Sequence, residues 1–120
     1  MKIAVSSKGT DLTSEIDSRF GRAAFFVVVD SETLDFTAVE NTQNLNLPQG
    51  AGIQSSKTVA GTGAEIVVTG NCGPKAFTAL SAAGIRIAVG CTGRVIDAVQ
   101  QCKNGLLSFA DEANVEGHWI

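Results

Sequence analysis

The sequence predicts an α/β fold, a mixed five-stranded sheet with flanking helices, and three observations carry that expectation. Short apolar runs at 2–7, 24–30, 64–70 and 85–90 have the length and the β-branched content of buried strands. From residue 53 onward the runs alternate with helical segments at 53–60, 74–83 and 94–102, an order that demands parallel strands joined by right-handed crossovers. The runs AFFVVVD and TLDFTAVE flank only the polar pair at 31 and 32, which makes them an antiparallel hairpin at one side of the sheet. Chain order alone leaves the order of strands in the sheet open.

Each element has its own signal. KIAVSS (2–7) is a short apolar run turning polar, as a buried central strand does. The polar stretch 8–23 that follows has no period, and a connection of that length inside a compact domain is expected to be functional. In the hairpin's second run, Leu34, Phe36 and Ala38 alternate with polar neighbours and predict one apolar and one exposed face. Ile53, Val59 and Ala60 share a helical face before the GTG at 61–63 ends the helix. Pro74 suits the first helical position, with Ala76, Leu80 and Ala83 as the buried stripe and Gly84 as the stop. Val95, Val99 and Cys102 repeat the pattern in the last helix. The tail 106–120 has no strong period. With no internal linker, the chain is expected to form one domain over 1–120, with the loops 8–23 and 41–52 its most mobile parts.

Composition narrows the function classes. The 120 residues carry a net charge of −3 without a basic run, which argues against duplex nucleic acid and an anionic membrane surface as partners. The apolar run at the N-terminus is too short for a signal-peptide core or a spanning helix, so a cytoplasmic location without membrane insertion is expected. Three cysteines and no C-x-x-C pair point to reduced thiols.

In a parallel sheet the loops leaving the strands' carboxyl ends gather at one edge, where ligands bind. Here those loops are SSKG, GNCGP and GCTG. They place Cys72 and Cys91 at matching positions of successive strand–loop–helix units. A thiol just before a helix start is expected to favour its thiolate, and glycines let backbone amides approach a bulky anion. The candidate binding set is therefore Ser6, Lys8, Arg19, Arg22, Gly70, Asn71, Cys72, Gly73, Gly90, Cys91, Thr92 and Gly93, with Cys72 and Cys91 as candidate metal ligands. Simpler roles stand beside these: a loop cysteine also serves as a small apolar filler, and Arg19 and Arg22 also suit a solvated rim around Phe20. Cys102 continues an apolar stripe and is assigned to the core. His118, beside Trp119, is assigned to the surface.

The segments IAVSS, SRFGRAAFFVVVD, GAGIQ, GAEIVVTGNCGPKAFTALSAAGIRIAVGCTGRVIDAV and KNGLL together resemble the dinitrogenase iron-molybdenum cofactor biosynthesis family over nearly the whole chain. That resemblance implies a ribonuclease-H-like fold, binding of a metal–sulfur cluster without catalysis, and association with MinD-like P-loop ATPases. The family pattern matches at Phe20, Gly21, Arg22 and Ala23, and at the glycines 70, 73, 90 and 93. Position 19 departs from it: many members have histidine there, and arginine donates hydrogen bonds but does not readily ligate a metal. The departure leans toward the subgroup that holds a molybdenum–copper sulfide cluster, with the iron-molybdenum cofactor or an iron–sulfur cluster as alternatives. The expected function is thus a small non-catalytic carrier whose site cradles an anionic cluster. A thiol redox or regulatory module using Cys72 and Cys91 is the alternative. A two-metal nuclease is disfavoured because the first strand has no acidic residue.

Overall fold

The computed structural model describes residues 1–41 and 51–114. The elements run β1 (Lys2–Ser7), β2 (Phe25–Asp30), β3 (Phe36–Glu40), α1 (Ala51–Ala60), β4 (Ile66–Val68), α2 (Pro74–Ala82), β5 (Arg86–Ala88) and α3 (Val95–Lys103). The five strands form one mixed sheet in the order β3-β2-β1-β4-β5. β1 is antiparallel to β2 and parallel to β4, so the hairpin occupies one side and the crossover strands the other, as expected.

Side chains alternate across the sheet with the period of two that a pleated strand imposes. Ala4, Phe26, Val28, Val67 and Ile87 face the layer of α1 and α2, where Val59, Ala76 and Leu80 complete one core. Ile3, Val5, Val27, Val29, Ile66, Val68 and Ala88 face α3 and meet Val95, Ala98, Val99 and Cys102. Most of these residues are under 2 % exposed. Each large one contributes about 1.5–3 kcal/mol relative to an exposed position, which is why β1, apolar on both sides, takes the centre. No helix among the described residues is long and apolar enough to cross a membrane.

Three sequence expectations shift. β3 begins only at Phe36, because Leu34 lies in a five-residue turn at φ 63° in which Asp30 O accepts Leu34 N–H at 2.8 Å. The strand's contribution to the core is Val39, opposite Phe26, while Phe36 is 42 % exposed. The physical reason is coverage, since the α3-side core contains no residue of β3. In α1 the buried face is Ser55, Ser56 and Val59, and Ile53 and Ala60 point outward. Hydrogen bonds compensate the two serines, Ser55 with Asn41 Oδ1 at 2.9 Å and Ser56 with Gly52 O at 2.7 Å. In α2, Ala76 and Leu80 are buried but Ala83 is the exposed C-cap, followed by Gly84 at φ 77°.

Backbone hydrogen bonds tie the loop 8–23 to the strand ends and loops around it. Lys8, Asp17 and Phe20 donate backbone N–H groups to Glu15, Ser6 and Asn71 at 2.9–3.1 Å, and Ile16 donates to Gly93 at 2.8 Å. Most of the other long loop, 41–52, falls outside the described residues, as do His118 and Trp119.

Candidate functional site

Because β1, β4 and β5 are parallel, their carboxyl ends leave the sheet together, and the loops after β4 and β5 are joined directly. Gly90 N–H donates to Gly70 O at 2.7 Å, and Cys91 N–H donates to Thr69 O at 3.1 Å. The segment 12–20 crosses over both loops. Its underside is fixed by Ser6, wholly buried, whose hydroxyl donates to Asp17 O at 2.8 Å and lies 2.7 Å from the Thr69 hydroxyl. Ser6 therefore builds the edge from beneath and has no surface of its own to offer a ligand.

The glycines serve this crossing in two ways. At Gly70 a Cβ would stand 2.8 Å from both Cα and O of Ser18, so the glycine admits the chain's own segment 17–20. The expected use of Gly70, close approach of an anion, is replaced by close approach of backbone. Gly90 and Gly93 have φ of 74° and 98°, a region only glycine occupies freely, and they turn the chain from β5 into α3. Gly73 is the N-cap of α2, buried and in an extended conformation.

The two thiols share the end of the sheet but sit on opposite faces. Cys72 is fully buried in the α1–α2 core with Phe20 and Ala76. Its S–H donates weakly to Gly73 O at 3.7 Å, and burial pushes the thiol up to about 12. The expected thiolate is thus corrected: desolvation outweighs the helix N-terminus, and Cys72 is a neutral core residue. Cys91 is half-buried against the α3-side core, with Sγ 3.7 Å from Val89 O. Burial first, and then neighbouring Cys102, push its thiol up as well. Cys102 is core, 8 % exposed, as its stripe implied. Among the described residues no three His, Cys, Asp or Glu side chains gather into a ligand set.

The outward face of the edge presents loosely paired cations among acidic side chains. Lys8 Nζ lies 3.5 Å from Glu15 Oε1, both exposed, and Arg19 Nε lies 4.0 Å from Asp17 Oδ1. An exposed pair such as Lys8–Glu15 contributes about 0–1 kcal/mol and re-pairs readily with a multivalent anion, while Arg19 keeps an exposed guanidinium beside a largely buried Asp17. Arg94 is more firmly held, with Nε and Nη2 each 3.1 Å from the Asp97 carboxylate, whose hydrogen bonds raise the guanidinium and lower the acid. Arg22 is half-buried, while Lys75 and Thr92 are exposed.

The two helix N-termini at this edge are unequal. In α3 the Val95 and Ile96 N–H groups donate to Ser14 O and Leu12 O at 2.9 and 2.8 Å, so the loop already satisfies that turn. In α2 no side chain caps the first turn. Only α2 therefore keeps the anion-attracting character of a helix start.

Four contributors had escaped the sequence reading. Thr69 and Asp17 hold the crossing from below. Asn41 donates from Nδ2 to Ala23 O at 2.8 Å, stitching the FGRA segment to α1 through Ser55. Asn114 reaches the loop after β4 from a distant stretch of chain. A buried Thr closing an apolar run was a readable signal, but nothing in the tail's pattern marked Asn114.

Comparison with known proteins places this architecture. Residues 1–105 match the family described as dinitrogenase iron-molybdenum cofactor. Among solved structures, the apo form of the orange protein from Desulfovibrio gigas is 42% identical, with 95% of this chain and 96% of that one covered and a TM-score of 0.91. A NifB-like protein from Thermotoga is 28% identical over 90% and 91% of the two chains, at a TM-score of 0.73. A dinitrogenase-like protein from Methanocaldococcus jannaschii, 16% identical over 93% and 96% with a TM-score of 0.67, shares the fold. Among curated proteins none matches. With the family pattern spanning both glycine-rich loops and the segment that crosses them, this chain belongs to the dinitrogenase iron-molybdenum cofactor family.

Proposed function

We propose that the protein is a small non-catalytic carrier that holds an anionic metal–sulfur cluster, its cargo, in a cradle of cations and backbone amides. One observation carries this reading: the same edge presents exposed, loosely paired cations while the Cys72 thiol is buried and protonated. Cluster sulfides accept hydrogen bonds and carry charge. The Arg19 fork and the Lys8 ammonium supply donors, and the uncapped start of α2 supplies backbone N–H groups, with Lys75 on the turn and Asp111 and Glu112 running alongside it. Arg22 and Asn71 line the approach; Gly90, Thr92 and Gly93 shape its other wall.

A molybdenum–copper sulfide cluster is the cargo favoured by arginine at position 19 and by the likeness to the orange protein. The iron-molybdenum cofactor and an iron–sulfur cluster are the alternatives. Direct ligation has a weaker footing, because of the three cysteines Cys91 alone is not buried. In the thiol-redox alternative a reversible disulfide would have to join Cys72 and Cys91, which lie at opposite cores. A MinD-like P-loop ATPase is the partner class the family resemblance suggests.

The test is titration of the apo protein with tetrathiomolybdate and copper(I), followed by visible absorption and metal analysis, at low and high salt. Cys72→Ser and Cys91→Ser retain the chromophore, Arg19→Ala binds several-fold more weakly, and salt weakens binding throughout. Loss of the chromophore in both serine variants, with Arg19→Ala binding normally, rejects the cradle in favour of thiolate ligation.

A further inference from the structure

Past α3 the chain does not trail away. Leu107 and Phe109 lie against the α3-side core, and the Arg86 guanidinium sits 4.4 Å above the Phe109 ring. Ala110 N–H then donates to Ile87 O at 2.8 Å, adding one rung to the outer edge of β5. Residues 111–113 continue along the first turn of α2, where they share a shallow cleft with Pro74, Phe77 and Thr78. The segment thus passes from one face of the sheet to the other around its edge. It lies beyond the residues that match the family pattern.

It ends on the loop after β4. Asn114 Oδ1 accepts the Cys72 N–H at 2.8 Å, and Nδ2 lies 3.3 Å from Gly70 O and 3.1 Å from Asn71 Oδ1. The Asn114 N–H donates to Cys72 O at 3.3 Å. One residue therefore engages three successive residues of the loop that leads into the uncapped start of α2. Asn71 passes the restraint on: its Nδ2 donates to Ser18 O at 3.1 Å, and its carbonyl accepts Phe20 N–H, on either side of Arg19.

We propose that residues 106–114 form a strap and that Asn114 is a positioning residue of the cargo site, fixing the Gly70–Gly73 loop and, through Asn71, the backbone that carries Arg19. The proposal rests on the carrier reading above for what is bound, but not for what is held in place. Among the described residues the Asn114 side chain hydrogen-bonds the loop backbone and Asn71 and belongs to neither core, so its effect is local. Preorganising the loop lowers the entropy that binding must remove.

Hydrogen exchange and cluster titration separate the two layers. In the apo protein, Asn114→Ala speeds exchange of the Cys72 amide by about tenfold or more, the size expected when a hydrogen bond of this kind is lost, and leaves Val67 in β4 unchanged. Asn114→Asp keeps an acceptor for the Cys72 N–H but turns a carboxylate oxygen toward Gly70 O and Asn71 Oδ1, so its Cys72 exchange lies between that of the parent and that of Asn114→Ala. With tetrathiomolybdate and copper(I), Asn114→Ala binds about tenfold more weakly. Unchanged Cys72 exchange in Asn114→Ala overturns the strap. Faster exchange with equal or tighter cluster binding overturns the positioning role, the tighter case marking the strap as a latch that opposes cargo. A parent protein that takes up no cluster defeats the carrier reading, and the exchange arm still decides the strap.

Discussion

Protonation of Cys72 has a consequence for stability at alkaline pH. The thiol is fully buried, and its folded value of about 12 stands above the ordinary 9.0 that applies once the chain unfolds. A group whose folded value is raised contributes stability that is complete below the unfolded value and is lost as pH climbs toward the folded one. Between pH 7 and pH 10 the unfolded chain releases this proton while the folded chain keeps it, a loss of about 1–2 kcal/mol from Cys72 alone. The perturbation is Cys72→Ala, which removes the ionisable group and costs about 1–2 kcal/mol of packing at neutral pH. Urea unfolding under reducing conditions at pH 7 and pH 10 reads the difference. The parent protein loses more stability across that interval than the variant, by about the same 1–2 kcal/mol, because Cys91 and Cys102 are common to both. At pH 8 a thiol of this value is ionised in about one molecule in ten thousand, so alkylation mapped by peptide mass marks Cys91 before Cys72. Equal pH losses in parent and variant, or Cys72 alkylated as fast as Cys91, would refute the assignment of Cys72 to a dry core.

Two further substitutions test how the edge is built. Gly70→Ala forces a Cβ to 2.8 Å from the Ser18 backbone and costs about 1–3 kcal/mol by thermal unfolding, whereas Gly61→Ala, with its nearest neighbours at 3.5 Å, changes stability by less than about 1 kcal/mol; equal effects would show that the crossing segment yields freely. Ser6→Ala strands the Asp17 carbonyl and the Thr69 hydroxyl and costs about 1–3 kcal/mol, part of which Thr69→Val restores in the double variant; strict additivity of the two would remove Ser6 from the network.

The site was legible where its signal is local. Glycine-rich turns after apolar runs, a proline at a helix start and parallel alternation were enough to bring Cys72, Cys91, Asn71 and the FGRA segment to one end of the sheet, because strand direction follows from crossover length. The FGRA match and the arginine at 19 were likewise readable one residue at a time.

Element order, the mixed sheet and the edge where the loops meet are therefore properties of short-range pattern, readable before any folding. The tertiary structure alone decided which face each thiol takes, that Gly70 admits Ser18, and that α3's first turn is closed by Leu12 and Ser14 while α2's has no side-chain cap. It also decided that Asn114 returns to Cys72 across 42 residues of chain. Burial sets a thiol's charge, and burial is a sum over neighbours from distant segments. A helix N-terminus argues for a thiolate from three residues of sequence, but the desolvation that reverses it comes from Phe20, Ala76 and the rest of a core that exists only once the chain has closed on itself.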